Sequence, residues 1–128
     1  MPGGAGSHSE RAADLARAQA RLDRLALYAM PVRTGRVRVV VAPGLFRLPW
    51  LRRFDGYAAW SLILLRSPAA DDDLLTHELC HVWQLQQRPL AMPLSYLRHG
   101  YARNPYEAEA RAAVTATRPP AAAEPTSG

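Results

Sequence analysis

Two histidines that stand four residues apart are the side chains of this sequence best suited to hold a metal ion. They frame the segment His77-Glu78-Leu79-Cys80-His81, in a stretch whose apolar pattern predicts a helix. On a helix His77 and His81 lie on one face about one turn apart, so both imidazoles can reach the same ion. Glu78 is turned to the side of that face, where its carboxylate can act on a zinc-bound water. The spacing therefore predicts one zinc ion, with Glu78 as general base.

A third protein ligand must lie elsewhere in the chain, because a catalytic zinc site usually takes three and keeps one position open for water. The downstream candidates are Glu107, Glu109 and His99. The two glutamates are two residues apart on a predicted helix and point in different directions, so only one is expected to be a ligand. His99 lies in a loop-like stretch and is the fallback. The metzincin extension is excluded, because it needs a glycine and a histidine where this chain has Gln84 and Gln87.

The segment that begins at His77, taken together with the later segment 104–110 (Asn-Pro-Tyr-Glu-Ala-Glu-Ala), resembles the gluzincin metallopeptidases. The resemblance covers residues 37–116 and is to minimal zincin domains of bacteria with the same order of parts. It implies that a downstream helix supplies Glu107 as the third zinc ligand. Arg111 departs from the family pattern, which has an acidic residue there, and Glu109 could take over that supporting role or be the ligand instead. The two motifs are specific for metal binding and much less specific for proteolysis.

The resemblance also implies how a substrate would bind and react. In zincins the strand before the motif helix commonly lies at the edge of the sheet and pairs with an extended peptide, and residues 57–66 hold that position here. We therefore expect a peptide or protein substrate along an edge strand, with its peptide bond hydrolysed by zinc-activated water. Tyr106, Tyr101 or Arg103 is the expected donor to the oxyanion. The alternative, from a different class of protein, is a zinc-stabilised protein-binding module without peptidase activity.

The elements that must position these residues follow from apolar periodicity and from capping and turn residues. They predict a small α+β domain of zincin type over residues 9–117, with a leading helix, a short mixed or antiparallel sheet, the HExxH helix and a C-terminal ligand helix. The expected segments are a helix over 9–30, strands over 36–42 and 57–66 with a loop or helical turn at 45–53, the motif helix over 74–87 with capping candidates at 71–73, a helical turn at 94–98, and a last helix that Asn104 caps and that ends near Thr117. Residues 1–8 are expected to be flexible and residues 118–128 disordered.

Composition argues against several other classes of function. A chain of 128 residues is one domain's worth. The net charge of +5 arises from sixteen scattered arginines, with no motif for nucleic-acid binding. The single cysteine, Cys80, cannot form an internal disulfide and is expected to be a buried, inert thiol. No secretory signal is visible, and no apolar run approaches the roughly 20 residues of a membrane span, so we expect a cytoplasmic protein.

Overall fold

The architecture is α+β, as the sequence predicts. A computed structural model describes residues 3–120, with side chains from residue 10 onward. Within this range the chain forms four α-helices, one three-stranded sheet and a short 3-10 helix. The elements are α1 (Gly3–Asp23), β1 (Arg38–Val41), the 3-10 helix (Pro43–Arg47), β2 (Gly56–Ala59), β3 (Leu62–Leu65), α2 (Asp72–Gln87), α3 (Ala91–His99) and α4 (Pro105–Thr117). No helix in the described range combines the length and the apolar character needed to cross a membrane.

The sheet has the strand order β1-β3-β2, with β1 parallel and β2 antiparallel to β3. The prediction of a single strand over 57–66 is therefore wrong. Ala59 pairs with Leu62, so the chain reverses through Trp60 and Ser61, and Trp60 has a φ of 46°. Two-residue hairpin turns usually contain glycine, asparagine or aspartate, and none of them marks this turn in the sequence. As a result β3, the strand just before the motif helix, is central, and β2 lies at the edge.

The first helix differs from its prediction at both ends. α1 begins at Gly3, within the segment predicted to be flexible, and ends at Asp23 rather than near Met30. The chain that follows keeps the helical spacing of apolar residues but packs on the core as irregular structure. The ring of Tyr28 meets that of Trp83 edge-on at 5.3 Å, and the Trp83 indole N–H donates to the Met30 carbonyl at 2.8 Å. Apolar periodicity reports burial, and burial continues here after the helix has ended.

The motif helix α2 lies at the centre of the molecule, where it contacts α1, α4 and β2. Leu79, Cys80 and Trp83 are buried on α2 and form the core together with Leu22 of α1 and Ile63 of β3. Burial raises the pKa of the Cys80 thiol above its ordinary value, so this residue is an inert core side chain as predicted. Because one face of α2 is packed into the core, the directions of its other side chains are fixed.

The helix α4 begins at Pro105 as the sequence predicts, and α2 begins at Asp72, two residues before the predicted start but directly behind the first capping candidate. Asp71 caps α2, and its side-chain oxygen accepts the backbone N–H of Leu74 at 2.8 Å. Asn104 caps α4 and accepts the backbone N–H of Tyr106 at 2.7 Å and of Glu107 at 3.2 Å. These hydrogen bonds satisfy backbone donors that a helix start would otherwise leave unpaired.

A buried arginine ties three elements together near the start of α2. Arg21 of α1 donates to Asp73 of α2 at 2.9 Å, and to the Thr117 hydroxyl at 3.1 Å and the Val114 carbonyl at 2.9 Å in α4. Arg118, the first residue of the predicted disordered tail, also pairs with Asp73 at 2.9 Å, whereas the part of that tail from residue 121 onward lies outside the described residues. Burial by itself would raise the pKa of Asp73, but the hydrogen bonds from the two arginines hold it below its ordinary value.

Replacing Asp73 with asparagine is expected to lower the free energy of unfolding at neutral pH by about 1 kcal/mol, because Arg21 loses its charged partner while partial exposure screens the loss. A carboxylate whose pKa is lowered in the folded state stabilises that state above the unfolded pKa, and the contribution is lost as the pH falls below about 4. Denaturant titrations of wild type and Asp73→Asn should therefore differ more at pH 7 than at pH 3. The control is Asp72→Asn, which removes only an exposed partner of Arg17 and should cost less. An equal difference in the free energy of unfolding at both pH values would contradict a stabilising role for the ionised Asp73 carboxylate.

Candidate metal centre

Three side chains bring their donor atoms together where α2 meets α4. His77 and His81 come from α2, and Glu107 comes from α4. The Nε2 atoms of the two histidines are 3.2 Å apart, and the two Glu107 oxygens lie 2.7 Å from Nε2 of His77 and 2.8 Å from Nε2 of His81. One donor atom from each residue lies within 4.8 Å of the others, so these three residues could hold a metal ion. We call His77, His81 and Glu107 the donor group.

The cluster is largely removed from solvent. The Glu107 side chain is 0% exposed, that of His81 9% and that of His77 17%. Burial by itself would raise the pKa of Glu107, but hydrogen bonds from the two histidines hold it well below its ordinary value. Burial would lower the pKa of His81, but the Glu107 hydrogen bond and the Glu78 charge raise it. A buried carboxylate of this kind needs positive charge beside it, supplied either by protons on the imidazoles or by a metal ion.

Gln84 determines which nitrogen of His81 faces the cluster. Gln84 is fully buried, and its amide nitrogen donates to the Tyr106 carbonyl at 2.8 Å and to Glu109 Oε1 at 3.0 Å. A backbone carbonyl cannot donate, so the amide oxygen is the atom that lies 2.8 Å from Nδ1 of His81. Nδ1 must then carry a proton, so Nε2, which faces Glu107, is the nitrogen that can give up its proton and bind a metal ion. This is the tautomer that a metal-binding histidine needs.

Glu109 lies behind Gln84 and not among the candidate ligand atoms. Its Oε1 accepts the Gln84 amide and also the Tyr28 hydroxyl at 2.6 Å. The structure therefore places Glu109 neither as the alternative ligand nor in direct contact with a histidine N–H, because Gln84 stands between them. His99, the fallback ligand, is exposed at the end of α3 and outside the donor group. The sequence analysis does not identify Gln84 and Tyr28 as residues that support His81 and Glu109. The spacing could have indicated Gln84, because it follows His81 by three residues on one helix and so lies beside it.

Replacing Gln84 with methionine is expected to weaken metal binding between about tenfold and a hundredfold, because His81 loses the acceptor that sets its tautomer. Competition with a chromophoric chelator measures the affinity, and thermal unfolding establishes that the variant is folded. Gln87→Met, at a partly exposed position near the end of the same helix, is the matched control and should bind metal as the wild type does. Unchanged affinity in folded Gln84→Met would contradict the role given to Gln84.

Glu78 stands beside the donor group without belonging to it. Its side chain is buried, and burial raises the pKa of its carboxyl group above the ordinary value, although the positive charges of His81 and His77 oppose this. Gly56 of β2 lies against the carboxylate, since a Cβ at Gly56 would be 3.1 Å from Cγ and 3.3 Å from Oε2 of Glu78. Glycine therefore allows the edge strand to approach Glu78 closely.

A cleft runs past the candidate metal centre and is formed by two adjoining cavities of about 460 and about 500 Å³. His77 lines the smaller cavity, and His81 and Glu107 line the larger one. The larger cavity lies between β2 and α3, and α3 is a full helix where the sequence predicts only a turn over 94–98. The two cavities share as lining residues Arg53, Phe54, Gly56, Glu78 and Tyr101. Glu78 and the donor group therefore form part of the wall of this cleft.

Comparison of the chain with protein-family models, with curated proteins and with solved structures finds no match. The likeness to gluzincins accordingly remains a prediction from two sequence motifs. The geometry is independent of that likeness. His77 and Glu107 are thirty residues apart in the chain, yet their side chains are in hydrogen-bond contact.

Among the predicted oxyanion donors, Tyr101 is the one that contacts the donor group. Its hydroxyl donates to Glu107 Oε2 at 3.1 Å, and the residue lines both cavities. Burial and the charge of Glu107 raise the pKa of Tyr101 to about 12, so the phenol keeps its proton and can donate. Tyr106 and Arg103 line neither cavity. Tyr96 of α3 lines the larger one, and no spacing in the sequence links it to the motif.

Arg111 occupies the position where the gluzincin pattern has an acidic residue. Its guanidinium nitrogen lies 4.0 Å from Glu107 Oε2, and the group sits over the Tyr101 ring at 5.9 Å. The guanidinium adds positive charge beside the buried carboxylate of Glu107, whereas an acid would repel it. Arg111 therefore makes the surroundings of Glu107 more positive than an acidic residue would, while Glu107 remains in contact with both histidines.

Proposed function

We propose that this chain is a zinc-dependent metallopeptidase in which Glu78 is the general base. The observation that carries the proposal is a buried carboxylate beside three side chains that could hold a metal ion, all on the wall of one cleft. A purely structural zinc site is usually closed by four protein ligands and has no need of a base. Here three side chains form the donor group, and Cys80, the one cysteine of the chain, is packed in the core.

The donor set fits zinc in its chemistry. Two histidines and one glutamate are a ligand set of catalytic zinc sites. The Nε2 atoms of His77 and His81 are 3.2 Å apart, and each of them faces an oxygen of Glu107. Gln84 supports the same ligand role, because its hydrogen bond keeps a proton on Nδ1 of His81 and so makes Nε2 the nitrogen that can bind a metal ion.

The residues of the cleft can then share the steps of hydrolysis. Bound zinc would polarise the scissile carbonyl and lower the pKa of water towards neutrality. Glu78 would take a proton from the attacking water on a carboxylate oxygen and deliver it to the leaving amine nitrogen as the C–N bond breaks. The Tyr101 phenol, which donates to Glu107 Oε2 in this structure, would turn this hydrogen bond to the oxyanion that develops on the carbonyl oxygen.

The edge of the sheet offers a binding place for the peptide. Only β2 lies at this edge, so peptide pairing is assigned to residues 56–59 and no longer to the whole segment 57–66. Residues 57–59 line the larger cavity together with Glu78 and His81. The side of β2 that faces away from β3 has no strand partner within the described residues, so its backbone groups can pair with an extended peptide. Such pairing would bring a peptide carbonyl close to the donor group.

Zinc content followed by cleavage of a peptide library tests this function. Protein purified without added metal should contain about one zinc per chain by elemental analysis, and it should cleave a subset of the library. A chelator should stop cleavage, and added zinc should restore it. One zinc per chain without cleavage would instead favour the zinc-stabilised protein-binding module. A folded chain that takes up no zinc would argue against both functions.

A further inference from the structure

The two halves of the cleft differ in chemistry. The smaller cavity is lined mainly by charged side chains, among them Arg53, Asp73 and Arg111. The larger cavity, which we name the aromatic pocket, is lined mainly by apolar side chains from β2, α3 and the segments next to them. The main contributors are Trp50, Phe54, Tyr57, Trp60, Met92 and Tyr96. The chain therefore presents an apolar surface directly beside its candidate metal centre.

Two tryptophans of the aromatic pocket are largely open to solvent. Trp50 is 61% exposed and Trp60 57%, whereas the third tryptophan, Trp83, is a core residue at 1%. Trp50 also meets the ring of Tyr57 edge-on at 6.0 Å. Water contact with two indoles is unfavourable, and exposed apolar groups gathered at a cavity are typical of binding surfaces. No side chain among the described residues covers most of either ring.

Trp60 has, in addition, a backbone conformation that large side chains avoid. Its φ of 46° lies in the left-handed region, at the first position of the β2–β3 turn. Glycine or asparagine would adopt this conformation at lower free energy. Since the indole is not buried in the core, packing of the fold does not account for a tryptophan there. Strain of this kind collects at functional sites, and the residue lines the aromatic pocket.

We propose that the aromatic pocket binds the large apolar side chain, aromatic or long aliphatic, of a substrate residue next to the scissile bond. The proposal rests on the proposed peptidase function and names its substrate class. The position beside the scissile bond follows from the lining, because Glu78, His81 and Glu107 belong to the wall of the same pocket. At about 500 Å³, the pocket has room for an indole or phenyl ring.

Charged and small side chains are expected to bind less well. Apart from Glu78 and the donor group, Arg53 is the one ionic residue in the described lining, and its guanidinium stacks on Phe54 at 5.1 Å and on Tyr101 at 5.3 Å. A charged side chain would lose its water on entering this mainly apolar pocket and would meet a like charge there, Arg53 for a cation and Glu78 for an anion. An alanine would cover too little apolar surface to gain much.

Binding in the absence of cleavage gives a direct test. The starting peptide is one that wild-type protein cleaves, and matched versions carry phenylalanine, alanine, aspartate or lysine next to the scissile bond. They are titrated into zinc-loaded Glu78→Gln protein, and tryptophan fluorescence is recorded because Trp50 and Trp60 line the pocket while Trp83 is in the core. The phenylalanine peptide should bind about tenfold tighter than the alanine peptide and should change the fluorescence.

Variants of the pocket complete the test. Trp60→Ala and, as a second variant that keeps an apolar side chain, Trp50→Leu should each weaken binding of the phenylalanine peptide by about tenfold. Met30→Ala removes an exposed apolar side chain outside the pocket and should leave binding unchanged. Equal affinity for all four peptides, or cleavage by wild type without preference for an apolar neighbour, would overturn the pocket assignment alone. No cleavage of any peptide at one zinc per chain would overturn the proposed function itself.

Discussion

Replacing Glu78 with glutamine is expected to slow peptide hydrolysis by about a thousandfold while zinc content stays at about one per chain. The amide has the shape of the carboxyl group but cannot take a proton from water. Burial of Glu78, which is only 5% exposed, raises the pKa of its carboxyl group, so burying its negative charge disfavours the folded state. The variant should therefore be at least as stable as wild type. Hydrolysis of a library peptide, zinc content and thermal unfolding are measured on the same preparation.

The matched control for this variant is Glu10→Gln, which makes the same chemical change at an exposed position of α1. It should leave the rate, the zinc content and the unfolding temperature unchanged. A Glu78→Gln rate within tenfold of wild type would mean that another group takes the proton. Loss of zinc from Glu78→Gln would indicate that Glu78 is itself a zinc ligand. This result would conflict with a donor group formed by His77, His81 and Glu107.

Replacing Glu107 with glutamine is expected to remove the stabilisation of the fold by zinc. An ion that binds only the folded chain adds about 4 kcal/mol to the free energy of unfolding at a free concentration of 1,000 times its Kd. In wild type this should appear as a rise in Tm of about 10 °C or more. Glu107 supplies the one carboxylate of the donor group and is 0% exposed. Without it two imidazoles remain, so the variant should show little or no rise in Tm when zinc is added.

Glu109→Gln is the control that separates the two glutamates of α4. Glu109 contacts Gln84 and Tyr28 and supports His81 only through Gln84. Zinc should therefore still raise the Tm of this variant, with an affinity about tenfold lower than that of wild type. The ligand assignment would be reversed if Glu109→Gln lost the zinc response and Glu107→Gln kept it.

The sequence by itself determined the two helices that carry the site and the side of the motif helix on which the two histidines lie. His77 and His81 lie on one face because the helical repeat puts them there, and α2 and α4 begin behind Asp71 and Asn104 as capping chemistry predicts. The α+β class follows from the same kind of signal. All of these features depend on residues within one or two turns of each other, and such short distances along the chain are what periodicity and capping record.

Only the tertiary structure decided which residues from distant parts of the chain meet. Glu107 and Glu109 both lie near the start of α4, and the rotation of α4 against α2 turns Glu107 to the histidines and Glu109 to Gln84. The reversal at Trp60, which makes β3 central, depends on pairing with β1 as well as on the turn. Spacing along one element contains no information on how that element is rotated against another, and packing of the whole core sets that rotation.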